Sequence, residues 1–123
     1  MEEFERIVYD VFAKRCTSRE TLEHLTGRWG ILVLAALSEG TYRFNELRRR
    51  VDGVSDKMLS QTLQALERDG MVLRVVEQTI PPKSEYSLTP LGAEAADRLV
   101  PLIHWLESRM PEVAEARERY QGR

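Results

Sequence analysis

The stretch RFNELRRRVDGVSDKMLSQTLQALERDGMVLRVVEQTIPPKSEYSLTPLG, residues 43–92, decides the fold. Asn45 to Val51 reads as a short basic helix. Phe44, Leu47 and Val51 share one face, and Arg48, Arg49 and Arg50 face outward. Asp52-Gly53-Val54 is a tight turn. Ser55 has a capping side chain, and a helix over Ser55 to Asp69 follows it. Leu59, Leu63 and Leu66 recur at helical spacing and form an inward stripe. Lys57, Ser60, Gln61, Gln64 and Arg68 form the opposite, polar stripe. Asp69-Gly70 ends the helix. Val72 to Glu77 and Ser84 to Leu88 read as two strands joined at Pro81-Pro82. Helix, turn, helix and hairpin in this order predict a winged helix-turn-helix, a module suited to reading double-stranded DNA.

The rest of the chain is read outward from that module. Phe4, Ile7, Val8, Val11 and Phe12 recur at helical spacing and predict an amphipathic helix over the first dozen residues. Lys14-Arg15-Cys16-Thr17 interrupts it, and Ser18 is placed to cap a second helix through Thr21, Leu22 and Leu25. Gly27 marks a joint. An apolar helix follows from about Arg28 through Trp29, Leu32, Val33, Ala36 and Leu37 to Gly40; its composition predicts burial on most sides. Thr41-Tyr42-Arg43 can form a short strand. Thr89 caps a last helix with Pro90 at its first position. Leu91, Ala95, Leu99, Leu102, Ile103, Leu106 and Met110 run along it, Pro101 should kink it, and Pro111 should begin a charged tail. The predicted class is therefore α+β, mostly helical: a winged helix-turn-helix with a two-stranded wing and terminal helices at both ends, residues 1–15 and 90–110. Residues 1–123 form a single domain, with residues 43–92 as the DNA-binding core and wing.

Composition agrees with this reading and limits others. Of the 123 residues, 42% are hydrophobic and 31% are charged, which is the balance of a folded globular chain rather than a disordered one. The net charge of -2 points neither toward nucleic acid nor away from it. No apolar run approaches the roughly 20 residues that span a bilayer, and the start, Met1-Glu2-Glu3-Phe4-Glu5-Arg6, is acidic, unlike a signal peptide. The single cysteine rules out an intramolecular disulfide framework. The cytoplasm is the expected compartment.

The recognition helix must present donors and acceptors near its N-terminus, the end that enters the major groove. Ser55, Lys57, Met58 and Gln61 lie there. Gln61 can read adenine through two hydrogen bonds, Lys57 can reach guanine or a phosphate, and Met58 can pack on a thymine methyl. Arg43, Arg48, Arg49 and Arg50, with Arg74 and Lys83 on the wing, are the candidate backbone contacts. Any one of these runs read alone is a solvated face; their combination on the two elements that would touch DNA is what carries the reading. His24 and His104 read as core-edge histidines rather than metal ligands. Trp29, Trp105, Tyr42 and Tyr86 read as core or interface. No phosphate-binding glycine loop, nucleophile elbow or paired-carboxylate arrangement is present, so neither enzymatic activity nor a cofactor is expected.

Several segments together resemble the HxlR-type family of bacterial winged helix-turn-helix regulators. They are Cys16; Gly27-Arg28-Trp29; Arg43-Phe44-Asn45-Glu46-Leu47-Arg48-Arg49; Val54-Ser55-Asp56-Lys57-Met58-Leu59; Leu63 to Gly70; and Pro81-Pro82-Lys83-Ser84-Glu85-Tyr86-Ser87-Leu88-Thr89-Pro90-Leu91-Gly92. The resemblance spans roughly Cys16 to Glu107. It implies a homodimer joined through the terminal helices, with two recognition helices addressing an inverted-repeat operator. The apolar faces at both ends independently suggest a second copy to cover them.

Several members of the family sense oxidants or electrophiles through a cysteine at the position of Cys16. There it is commonly followed by proline, where this chain has Thr17. Lys14, Arg15, Arg19 and the helix N-terminus would favour a reactive thiolate. The alternative is a small apolar residue packed at a helix junction. Two further alternatives stay open: a small-molecule-gated regulator with an inert Cys16 and a pocket at Arg28-Trp29 between the core and dimer helices, or a winged-helix protein-interaction module. Asp52 and Asp56 beside the reading surface are the reason to keep the latter.

Overall fold

A computed structural model describes residues 7–122. Its elements are α1 (Thr17–Thr26), α2 (Gly30–Leu37), β1 (Tyr42–Arg43), α3 (Phe44–Arg50), α4 (Asp56–Arg68), β2 (Val72–Glu77), β3 (Lys83–Leu88) and α5 (Pro90–Gln121). The strands form one antiparallel sheet in the order β1-β3-β2. Val72 faces Leu88 and Glu77 faces Lys83 across the hairpin, while Arg43 pairs with Glu85 on the other edge of β3.

One apolar cluster holds these elements together. α4 contributes Leu59, Leu63 and Leu66, α3 contributes Leu47, and α2 contributes Val33, Leu34, Ala36 and Leu37. Val51, Val54, Met71, Val72 and Tyr86 complete it, with Trp29, Tyr42 and Phe44 packed partly buried against it. Leu32 departs from the expectation: it is 41% exposed on the side of α2 that faces away from the cluster. Gly53 and Gly70 make the two turns that bracket α4. Their φ angles of 89° and 77° lie in the left-handed region, which a side chain makes costly. Ser55 caps α4 by accepting the Met58 N–H at 3.1 Å. Thr89 caps α5 in the same way, accepting from Gly92 N–H at 3.0 Å.

The structure corrects the expectation at both ends. The helix expected over the first dozen residues is absent from its described part: residues 7–10 are irregular and residues 11–15 form turns. The cause is Asp10. Its carboxylate accepts the Phe12 N–H at 3.0 Å, and its own N–H donates to Cys16 Sγ at 3.2 Å. Such local side-chain bonds compete with helix formation. Phe4 lies outside the described residues. The cap of α1 falls at Cys16 rather than Ser18, which sits within the first turn. The apolar helix begins at Gly30, after Arg28 and Trp29. At the other end Pro111 starts no tail. α5 runs through Pro101 and Pro111 to Gln121, supported beyond Pro111 by Arg109–Glu112 at 2.9 Å and Arg119–Glu115 at 4.0 Å.

Candidate nucleic-acid interface

α4 is fastened to the core by its three buried leucines, and this leaves the opposite face in water. Ser55, Lys57, Gln61, Gln64 and Arg68 are exposed there, and Met58 is 39% exposed. The tight turn at Gly53 sets α3 in front of α4. The hairpin β2–β3 leaves the far end of α4 and projects beside it. All four candidate base-reading residues thus lie on one exposed end of one helix.

The candidate backbone cations divide into two groups. Glu39 holds Arg50 in a two-pronged pair, Oε2 to Nη2 at 2.7 Å and Oε1 to Nε at 2.9 Å. This pair and a hydrogen bond from the Tyr42 hydroxyl lower the pKa of the Glu39 carboxyl. Arg48 reaches Asp56 at 2.9 Å, Arg43 approaches Glu77 at 3.7 Å, and Arg74 approaches Glu67 at 3.6 Å. Arg49 and Lys83 make no ion pair among the described residues. The strands of the wing carry acidic groups: a hydrogen bond to Glu77, with some burial, holds the Glu85 carboxyl above its usual pKa. Asp56, one of the two carboxylates that count against a DNA surface, is answered by Arg48.

Beside α4 runs an open cleft of about 620 Å³. His24, Arg28 and Trp29 line one wall; Ser55, Met58 and Gln61 line the other. The alternative of a small-molecule pocket puts Arg28-Trp29 between the core and dimer helices; this cleft lies between the α1–α2 corner and the recognition helix. His24 is partly buried, and its Nδ1 is bonded to Asp69 Oδ2 at 2.6 Å, which ties α1 to the C-terminal end of α4. Among the described residues no cluster of three His, Cys, Asp or Glu is placed to hold a metal, and no helix is long and apolar enough to cross a membrane.

Cys16 is partly buried at the N-cap of α1. Its pKa is lowered, first by the Ser18 hydroxyl at 3.1 Å and then by the backbone N–H groups of Ser18 and Asp10. The neighbouring cations expected to do this are not the source; the nearby Asp10 charge acts in the opposite direction. The Asp10 contact was invisible in the sequence because it depends on the turn at residues 11–15.

An outward polar recognition helix, a turn, a basic leading helix and a wing define a DNA-binding winged helix-turn-helix protein. The HxlR-like helix-turn-helix family model matches residues 24–114, and the chain belongs to that family. It is accordingly a DNA-binding transcriptional regulator. It is 51% identical over 109 residues to the uncharacterized HTH-type transcriptional regulator YtfH of Escherichia coli K12, covering 89% of this chain and 86% of that one. The solved structure of YtfH from Salmonella typhimurium superposes with a TM-score of 0.86 at 51% identity, covering 90% and 99% of the two chains. The redox regulator HypR in its reduced form superposes with a TM-score of 0.73 at 33% identity, covering 80% and 98%.

Proposed function

We propose that this chain works in the cytoplasm as a homodimer on an inverted-repeat operator, as one domain with residues 43–92 at the DNA. Ser55, Lys57, Met58 and Gln61 read bases. Arg49 and Lys83 hold phosphates from the start. Arg43, Arg48, Arg50 and Arg74 join them by exchanging a carboxylate for a phosphate. The observation that carries the reading is the division of α4 into a buried leucine stripe and an exposed face of hydrogen-bonding side chains. The dimer is supported by α5, where Leu102, Trp105, Leu106 and Met110 are all more than a third exposed in the single chain. An apolar surface of that kind favours a partner, and a second copy supplies the same surface. Two-fold symmetry then separates the half-sites by about one DNA turn.

Cys16 is proposed as the sensor. The lowered thiol pKa raises the thiolate fraction, the form that reacts with oxidants and electrophiles. The similarity to a redox regulator supports the same role. The test is selection of bound duplexes from a random library, followed by binding to the selected sequence before and after mild oxidant. An inverted repeat whose affinity falls on oxidation and returns with thiol reductant is the expected result. Selection of no sequence overturns the reading of α4, and an unchanged oxidant response in Cys16→Ser overturns the sensor.

A further inference from the structure

The two sides of the recognition helix are not equivalent, and the difference assigns a second backbone contact. An α-helix with its side chains is about 10–12 Å across and the major groove is about 12 Å wide, so a helix in the groove has a phosphate wall along each flank. On one flank Ser60, Gln64 and Glu67 face Arg74 of the wing. That arginine is already drawn to Glu67. On the other flank Met58, Thr62 and Ala65 border the cleft whose far wall is the α1–α2 corner. The cation on that wall is Arg28.

We propose that the α1–α2 corner is a backbone clamp and that Arg28 binds a phosphate of the strand on that side. Three features of the site support this. Arg28 is exposed and makes no ion pair among the described residues, unlike Arg43, Arg48, Arg50 and Arg74. Its guanidinium lies 4.7 Å from the centre of the Trp29 ring, a contact that positions the charge without neutralising it. The corner itself is firmly placed: a Cβ on Gly30 would collide with the His24 carbonyl oxygen, so α1 and α2 meet at contact distance. Glu23 is the single carboxylate on the lining, and it makes no ion pair with Arg28. The cleft shares Ser55, Met58 and Gln61 with the reading face, so a backbone seated there is in register with bases read by α4.

This inference rests on the DNA-binding reading, and the experiment separates the two. The probe is a fluorescein-labelled duplex of random sequence, because a phosphate contact is independent of sequence. Anisotropy titrations between 50 and 200 mM salt compare the wild-type dimer with Arg28→Gln, Arg28→Lys and Arg49→Ala. Two Arg28 contacts per dimer carry a slope of about 1.8 in log affinity against log salt, so the advantage of wild type over Arg28→Gln shrinks about 12-fold across that range. Arg28→Lys is expected to keep the wild-type slope, with an unchanged melting temperature in both variants. An unaltered slope in Arg28→Gln, as a small apolar occupant of the cleft would produce, overturns the clamp. So does a loss in Arg28→Lys equal to that in Arg28→Gln. If Arg49→Ala still lowers the slope, the DNA reading stands without the clamp; if wild type itself shows no salt-dependent binding, both fall.

Discussion

Leu63→Ala tests how the recognition helix is held. Leu63 is 2% exposed in the middle of the stripe that fastens α4 to α2 and the sheet. The substitution removes three carbons, each contributing about 0.8 kcal/mol of transfer free energy, or roughly 2.4 kcal/mol in all. The cavity left between Leu59 and Leu66 adds to this, because neither neighbour can move without uncovering its own apolar surface; the total expected is about 3–4 kcal/mol. A domain of this size has about 5–15 kcal/mol of stability. The variant therefore folds, with a melting temperature lower by roughly 10–18 °C. The assay is thermal unfolding by circular dichroism at fixed protein concentration, since melting of the proposed dimer depends on concentration. Met58→Ala, on the exposed side of the same helix, is the comparison and is expected to change stability by about 0.5 kcal/mol or less. A Leu63→Ala shift of only a degree or two, or an equal shift in Met58→Ala, would refute the inward–outward division of α4 on which the DNA reading depends.

Three further outcomes are expected. Gln61→Ala should cost about 1–3 kcal/mol on the selected operator and almost nothing on random duplex; equal losses in the two titrations would remove it from the base-reading set. Arg49→Ala should lower the salt slope more than Arg50→Ala, because Glu39 holds Arg50 before DNA arrives; a larger effect at Arg50 would show that the pair opens at little cost. Ser18→Ala removes the hydrogen bond that contributes most to lowering the Cys16 pKa. The thiolate is the form that bond stabilises, so its loss raises the pKa and moves the pH midpoint of thiol alkylation upward. A midpoint that stays in place or moves down would mean that another group sets the reactivity of Cys16.

Much of this protein is written locally. The caps at Ser55 and Thr89, the glycines that turn the chain at positions 53 and 70, the leucine repeat of α4 and the two β-rich runs are short-range signals, and each element appears where they place it. Periodicity alone assigns Leu59, Leu63 and Leu66 inward, because a helix of fixed pitch leaves no other arrangement. Local pattern failed where a side chain could choose between partners of similar strength. Phe4 to Phe12 have helical spacing, yet Asp10 bonds to the backbone of Phe12 and to Cys16 instead. Pro111 looks like a stop, yet charge pairs one turn apart carry α5 past it.

Only the tertiary structure decided which of the candidate cations already have a carboxylate partner. Six basic residues look equivalent as text, but carboxylates brought close by the fold occupy four of them: Glu39 eleven residues from Arg50, Asp56 eight residues from Arg48, Glu77 across the sheet from Arg43, and Glu67 on α4 beside Arg74. The same folding places Arg28, remote in sequence from the recognition helix, across a cleft from Gln61. Charge acts through space over a few ångströms, while sequence orders residues along a chain. The fold is therefore legible from local periodicity, and the electrostatics of its candidate DNA surface are not.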